Sequence, residues 1–416
     1  MRKKRCLYAV VGLLCLMLCS GVGCKKEREI SVNQGKDLCN DISRFKAAFP
    51  GGSYMSFCDS GFSFVENNLL MFHEYESDLI YPLCSEAYCA HEPKSLSNPD
   101  PKCEAAKSDV TSAVVYGHDL YVFQESEFGK TIVSVRNLLE SGYREIVELP
   151  YSLTVTVPGI YNMISDEKAL LVVTDIGDKD VMGVISQQDY PTVVLELDLK
   201  SGKYKELFRI EAGPQIRTIS RVKNGIGLYF LHGTGEIQIG ENGELIQIPG
   251  ELYDYYYYVD METKEWKEIK SLMPDGGLRK EHADEDKERI EFVGFSEKGI
   301  VVKKNQSLFW MTPETEELEE FWTLPEGYNT FSAGGLGEKT LTMYMGKGNE
   351  GKRGLLMIET GEFKEVEYGE NFAGLEYFGD NYYCCYYFHG DNMQKRLIHY
   401  HNLVDGSKKA LFEWVE

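Results

Sequence analysis

Residues 223–231 read Lys-Asn-Gly-Ile-Gly-Leu-Tyr-Phe-Leu, a polar turn followed at once by an apolar strand. Asn and Gly let the chain reverse, and the apolar and aromatic residues after them favour an extended strand. The same arrangement recurs six more times in the 416 residues, with turns at 66–68, 117–119, 166–168, 297–299, 337–339 and 379–381. The sequence is therefore typical of a chain built from repeated β units.

Each unit also contains a second hairpin, with clear copies at 198–204, 260–266 and 358–363. Looser copies lie at 77–78, 141–142, 315–316 and 405–406, so successive second turns are 45 to 64 residues apart. That spacing suits four-stranded blades that carry loop insertions. We predict an all-β fold, a β-propeller of seven four-stranded blades over residues 53–416. Six or eight blades also fit, and a pair of stacked β-sandwiches is the alternative architecture.

One short helix is predicted before the propeller, over residues 36–52. Leu38, Ile42, Phe45 and Phe49 follow the i, i+4, i+7 spacing of an amphipathic helix.

The chain opens with a basic stretch at 2–5, an apolar run at 6–18 and small residues that lead to Cys24. These are the parts of a secretory signal peptide, which we place at residues 1–23. A transmembrane helix is the weaker alternative, because the apolar run is shorter than the about 20 residues that span a bilayer. The Gly23-Cys24 junction resembles the lipobox of bacterial lipoproteins, which implies that Cys24 is lipidated and that residues 24–35 are a flexible tether. We therefore expect an extracytoplasmic protein anchored to the bacterial cell membrane by its N-terminal lipid.

The charge balance argues against one class of partner. The chain carries 44 Lys and Arg against 66 Asp and Glu, a formal net charge of −22. Nucleic-acid binding depends on basic residues that neutralise phosphates. A nucleic-acid partner is therefore not expected.

Three cysteines and one histidine lie close together outside the repeat. Cys84, Cys89, His91 and Cys103 fall within 20 residues. Thiolates and imidazole are the usual ligands of a four-coordinate structural zinc, and four ligands leave no open position for a catalytic water. We predict one structural zinc here, with disulfides, or thiols of no fixed role, as the alternatives.

The cysteine count bears on this choice. After Cys24, the chain has seven cysteines, namely Cys39, Cys58, Cys84, Cys89, Cys103, Cys384 and Cys385. Seven cannot all pair within one chain. If Cys39 pairs with Cys58 and two members of the cluster pair, one cluster thiol is left over, which a metal site accommodates and an all-disulfide account does not.

The lipobox-like leader, the Pro-Leu-Cys84 segment, the Cys89-Ala-His91 segment and the Cys103-Glu-Ala105 segment form a recognisable combination. In this the chain resembles a group of uncharacterised β-propeller lipoproteins of anaerobic Gram-positive gut bacteria. The resemblance implies the location and the fold and implies no chemistry.

Two aromatic stretches, 255–258 and 382–388, suggest a carbohydrate platform. Alternate rings of a strand point to opposite faces, so packing between blades is the better interpretation. Cys384 and Cys385 are expected to be buried thiols. His399 and His401 would share one face of a strand, which is weak evidence for a metal.

No catalytic residue is predicted, because the nucleophile elbow, the His-Glu-x-x-His motif, the phosphate loop and the dinucleotide fingerprint are all missing from the sequence. We expect a non-catalytic module that binds a protein, peptide or glycan. The alternative is a surface glycan-degrading hydrolase that uses carboxylates in the propeller funnel.

Overall fold

The computed structural model describes residues 44–48, 54–58 and 61–415, apart from 78, 87, 96, 107–109, 117, 127–128, 139, 154–160, 166, 178–189, 212–214, 240–244, 249, 280–288, 338, 349, 380–381, 390–391 and 408. The leader, Cys24 and the tether lie outside these residues. No helix among the described residues is long and apolar enough to cross a membrane.

Seven antiparallel sheets form the blades of a β-propeller, which confirms the predicted fold and blade number. Blade one contains β1 (Arg44–Ala48), β2 (Tyr54–Cys58), β3 (Gly61–Glu66), β4 (Leu69–Glu74) and β5 (Leu79–Pro82). Blade two contains β6 (Val110–Tyr116), β7 (Asp119–Glu125), β8 (Thr131–Asn137) and β9 (Arg144–Leu149). Blade three contains β10 (Tyr161–Ser165), β11 (Lys168–Thr174), β12 (Thr192–Asp198) and β13 (Tyr204–Ile210).

Blade four carries an inserted two-stranded hairpin, β16 (Glu236–Ile239) and β17 (Leu245–Ile248), between its second and third strands. Its own strands are β14 (Gln215–Val222), β15 (Gly225–Gly233), β18 (Leu252–Asp260) and β19 (Trp266–Glu268). Two 3-10 turns, Lys270–Leu272 and Pro274–Gly277, follow β19.

The last three blades follow the chain without insertions of this kind. Blade five contains β20 (Ile290–Ser296), β21 (Gly299–Lys304), β22 (Ser307–Met311) and β23 (Leu318–Thr323). Blade six contains β24 (Thr330–Leu336), β25 (Thr340–Lys347), β26 (Glu350–Met357) and β27 (Glu362–Glu365). Blade seven contains β28 (Phe372–Gly379), β29 (Tyr382–His389), β30 (Asn392–His399) and β31 (Ala410–Val415), with the short helix α1 (Tyr400–Val404) before β31.

The core lies between neighbouring blades, as β11 shows. Leu171 and Val173 are buried in the cluster shared with blade two, and Leu170 and Val172 are buried in the cluster shared with blade four. Successive side chains of a strand point to opposite faces, so a blade packed on both sides needs an unbroken apolar strand. This is why the strands after the polar turns are largely apolar.

The predicted N-terminal helix is wrong in the part that the structure describes. Residues 44–48 form β1, which pairs antiparallel with β2 and also contacts β28 and β10. The rest of 36–52 lies outside the described residues. The α-helix that the described residues do contain is α1, near the C-terminus.

Blade one differs from the others in two ways. Its sheet has five strands, β1 to β5, where the other blades have four, and a long segment follows its last strand. Residues 83–106 come next in the chain, and several of them are buried against blade two. The Cys and His residues predicted to bind metal lie in this segment.

Candidate metal centre

The segment that carries the cluster is closed at its base by one residue of β4. The Leu70 carbonyl accepts a hydrogen bond from the Leu83 N–H at 2.8 Å, and the Leu70 N–H donates to the Ala105 carbonyl at 2.8 Å. Leu83 precedes Cys84, and Ala105 follows two residues after Cys103. The first and last ligands are therefore brought together by backbone hydrogen bonds to a single strand position.

The structure brings all four predicted ligands into one group. The Sγ atoms of Cys84, Cys89 and Cys103 and a ring nitrogen of His91 all lie within 4.8 Å of one another. Cys103 Sγ and His91 Nδ1 are 3.5 Å apart. A tetrahedral zinc, with Zn–S about 2.3 Å and Zn–N about 2.0 Å, separates a sulfur from a nitrogen ligand by about 3.5 Å. The group fits a metal ion such as zinc.

The thiols of the cluster are not joined by disulfides in the structure. The hydrogen bond from Cys103 is the main cause that lowers the pKa of the Cys84 thiol to about 5, and the same bond raises the pKa of Cys103. These opposite directions favour a thiolate at Cys84 and a proton that stays on Cys103. Zinc binds thiolates, so its binding would release the remaining protons.

Burial separates the ligands into two pairs. Cys84 and Cys103 are 5% and 6% exposed, whereas Cys89 and His91 are half-buried. The backbone around Cys89 and His91 is unusual, because Tyr88, which precedes Cys89, has a φ of 67° and His91 has a φ of 51°. Non-glycine residues in this region store backbone strain, which the surrounding structure must compensate. The His91 N–H donates to Cys89 Sγ at 3.5 Å, which links the two residues directly.

Glu104, the residue after Cys103, holds both flanks of the cluster. Its carboxylate accepts from the Ser85 N–H at 3.0 Å, from the Ser85 hydroxyl at 2.7 Å and from the Gly142 N–H at 2.8 Å. Burial opposes the charge, but these hydrogen bonds and the charge of Arg136 outweigh it and hold the pKa of the carboxyl below its ordinary value. Glu104 is therefore an ionised brace between the two ends of the cluster.

Arg136, on β8 of blade two, completes this brace. Its side chain is fully buried and donates from Nη1 to Glu104 Oε2 at 2.9 Å and from Nη2 to the Leu83 carbonyl at 2.7 Å. The guanidinium carbon also lies 5.5 Å from the ring centroid of Tyr143. A buried charge is retained only where it is paired and hydrogen-bonded. Residues outside the ligand set thus fix the backbone on both sides of the cluster, as around many metal sites.

Sequence reasoning singled out the four residues that meet in this group and missed Arg136. Glu104 stood in the Cys-Glu-Ala motif, but nothing in the sequence singled out its role. Arg136 is one of many basic residues, 32 positions away from Glu104, and only the packing of blade two on blade one brings them together.

The aromatic stretch at 255–258 and the Cys384–Cys385 pair are explained by packing within the fold. Tyr255 and Tyr257 lie in the cluster shared with blade three, and Tyr256 and Tyr258 lie in the cluster shared with blade five, which confirms inter-blade packing. Cys384 and Cys385 are buried and not joined by a disulfide.

His399 and His401 do not share a strand. His399 ends β30 and His401 lies in α1, so the predicted strand face is wrong, although the two rings are 5.1 Å apart. Burial, with a smaller contribution from the charge of His401, lowers the pKa of His399 to about 4. His399 is therefore neutral at physiological pH and acts as the cap of α1, accepting from the His401 N–H.

The fold and the cluster define a seven-bladed β-propeller with a Cys3His centre in its first blade. No protein-family model and no curated protein matches the chain. Among solved structures, the WD40 domain of SCAP from fission yeast is 9% identical, covers 92% of this chain and 88% of its own, and has a TM-score of 0.37. An oligogalacturonate lyase in complex with manganese is 9% identical over 86% of this chain and 97% of its own, with a TM-score of 0.38. TolB from Acinetobacter baumannii is 9% identical over 70% of this chain and 67% of its own, with a TM-score of 0.30. These likenesses have TM-scores below 0.5 and carry no argument about function.

Proposed function

We propose that this chain is a lipid-anchored, extracytoplasmic β-propeller that serves as a non-catalytic binding module, with one structural zinc in its first blade. The observation that carries the proposal is the closed ligand set, in which four Cys and His ligand atoms lie within 4.8 Å of one another. Four protein ligands complete a tetrahedral zinc, so no position remains for a substrate or a catalytic water. The metal acts on the fold, and the surface of the ring supplies the function.

The physical reason for a metal at this place is the long polar segment that follows β5, the last strand of blade one. Among the described residues, 83–106 form no strand beside β5, and polar residues around 92–102 are half-buried or exposed. A long polar segment cannot offset its conformational entropy by burial. Bonds from Cys84 and Cys103 to one metal ion close this segment and keep Leu83 and Ala105 packed against blade two.

Metal content tests the site directly. The full-length chain, purified in mild detergent without reductant, is expected to contain about one zinc per chain by mass spectrometry. Cys84→Ser and His91→Ala should each lose the metal, and both should lower the melting temperature. Cys385→Ser, a buried cysteine outside the cluster, is the matched control and should keep the metal.

The disulfide alternative predicts the reverse pattern. It requires no bound zinc, and thiol counting under denaturing conditions would find two thiols fewer for each bridge. Unchanged metal content in both Cys84→Ser and His91→Ala would also contradict the proposal, because the metal would then be bound elsewhere.

The anchor is tested separately, in a bacterial host fed with labelled palmitate. The leader and the Gly23-Cys24 junction support lipidation of Cys24, so the label should enter the wild-type chain and not Cys24→Ala. Cys19→Ala, which changes a cysteine within the leader, should be labelled normally. Equal labelling of Cys24→Ala and the wild type would overturn the anchoring.

The hydrolase alternative has less support. Glycoside hydrolysis needs two carboxylates about 5 to 9.5 Å apart. Nothing in the sequence singles out such a pair among the 66 acidic residues, so binding without catalysis is the function that we favour.

A further inference from the structure

Blades six and seven leave a cleft of about 280 Å³ between them. One wall is made by Tyr344 and Arg353, which face each other across β25 and β26. The other wall is made by Tyr368 and Phe372, whose rings are stacked 4.0 Å apart with an interplanar angle of 13°. The volume lies just below the range of about 300 to 1,000 Å³ that is usual for ligand pockets. It suits a ligand of one ring.

Two glycines keep the cleft open. A β-carbon placed on Gly374 would meet only Tyr386 Cδ2, at 3.8 Å, and one placed on Gly334 would meet only Thr342 Oγ1, at 3.7 Å. Both glycines border irregularities in strand register, in β28 and in β24. The cleft therefore exists because Gly334 and Gly374 have no side chains, although side chains would fit at both positions.

The charge of the cleft is opposite to that of the chain. Its lining contains no Asp or Glu, although the chain has 66 of them, and its charged lining residue is Arg353. The guanidinium carbon lies 5.9 Å from the ring centroid of Tyr344, and no described residue forms an ion pair with it. An exposed Arg that lies beside aromatic rings and has no ion-pair partner among the described residues is suited to bind a carboxylate with two parallel hydrogen bonds.

We propose that this cleft binds a small carboxylate that carries one flat ring, with Arg353 on the carboxylate and the aromatic walls on the ring. The proposal rests on the proposed function in that it gives the binding module a ligand class. It involves blades six and seven, whereas the metal and the lipid anchor are tested through blade one and Cys24. Failure of one is therefore distinguishable from failure of the other.

The probe is 4-fluorobenzoate, titrated into the full-length protein and followed by fluorine NMR, with neutral 4-fluorobenzamide as the matched compound. We expect saturable binding of the benzoate and at least about tenfold weaker binding of the benzamide, because charge-assisted hydrogen bonds are lost. Arg353→Gln should weaken benzoate binding to the same degree. Lys352→Gln removes the same charge one residue away, on the opposite face of β26, and should bind normally.

Filling the cleft gives an independent test. Gly374→Leu should abolish benzoate binding while the melting temperature stays near that of the wild type. If that variant does not fold, Gly334→Val fills the space from the other wall. Equal binding of benzamide and benzoate, no binding of benzoate, or equal loss in Lys352→Gln and Arg353→Gln would overturn the proposal. Displacement of benzoate by an equal concentration of inorganic phosphate would show a simple anion site and would overturn the role of the ring.

Discussion

Arg136 of blade two donates a hydrogen bond at 2.9 Å to Glu104, the residue that follows Cys103 of the Cys3His group. The Arg136 side chain is fully buried and the Glu104 side chain is 10% exposed. Removing one partner of a buried ion pair leaves the other uncompensated, at a cost of about 3 to 5 kcal/mol. We expect Arg136→Met to lower the free energy of unfolding by about 3 kcal/mol in urea, and to weaken zinc retention against a chelator by about tenfold or more.

A double-mutant cycle with Glu104→Gln separates the brace from simple loss of packing. In the Arg136→Met background the guanidinium is already gone, so Glu104→Gln leaves no buried charge without a partner. The double variant should therefore lose clearly less stability than the two single variants added together. Strict additivity would show that the two residues do not act as a pair.

The turn between β12 and β13 predicts a cost that depends on contact between blades. Gly202 has a φ of +69°, and a β-carbon there would lie 2.5 Å from the Ile146 carbonyl oxygen of blade two. Gly361, in the corresponding turn of blade six, has the same φ, but its nearest atom would be 3.8 Å away. Both Ala variants carry the strain of a positive φ. We expect Gly202→Ala to be at least about 1 kcal/mol less stable than Gly361→Ala in urea unfolding, and equal stabilities would contradict the close approach of blades two and three at this turn.

Glu196 predicts a pH-dependent contribution to stability. It accepts from Lys168 of its own blade at 2.9 Å and from Lys264 of blade four at 2.6 Å. Burial opposes its charge, but the two lysines outweigh it and keep the pKa of Glu196 below its ordinary value. A depressed carboxyl pKa contributes stability above the unfolded-state pKa, about 4.3, which is lost as the pH falls through the folded-state pKa. Glu196→Gln should therefore cost about 1 kcal/mol at pH 7 and progressively less below about pH 4.

The control for this measurement is Glu262→Gln, an exposed residue in the turn that carries Lys264. It should change stability little at either pH. A loss in Glu196→Gln that stays constant from pH 7 to pH 3 would show that the side chain acts through packing and not through its charge.

The repeat could be predicted because each blade buries both faces. A strand such as β11 is apolar at every position from Ala169 to Val173, and a polar turn precedes it. The helix over 36–52 could not be judged in the same way. Its spacing fitted a helix, but a helix of this length is marginal alone, and pairing of β1 with β2 offers the backbone a ladder of hydrogen bonds instead.

The four residues of the Cys3His group could be predicted from the sequence because they are close together in it and of distinctive type. Arg136 could not, since its role depends on one contact between two blades. The cleft could not be predicted either, because it is the space that Gly334 and Gly374 leave unfilled, and the two glycines line one cleft only because blade seven packs on blade six.

That same packing places Tyr383 of β29 against Thr340 at the start of β25. Both side chains are fully buried, and their hydroxyl oxygens are 2.6 Å apart. Tyr383→Phe leaves the Thr340 hydroxyl without this partner, which should cost about 1 to 2 kcal/mol in urea unfolding. Because a buried polar group is costly only when its partner is lost, adding Thr340→Val should recover part of that loss. If the double variant instead loses the sum of the two single effects, the hydroxyl pair contributes nothing of its own to the contact between blades six and seven.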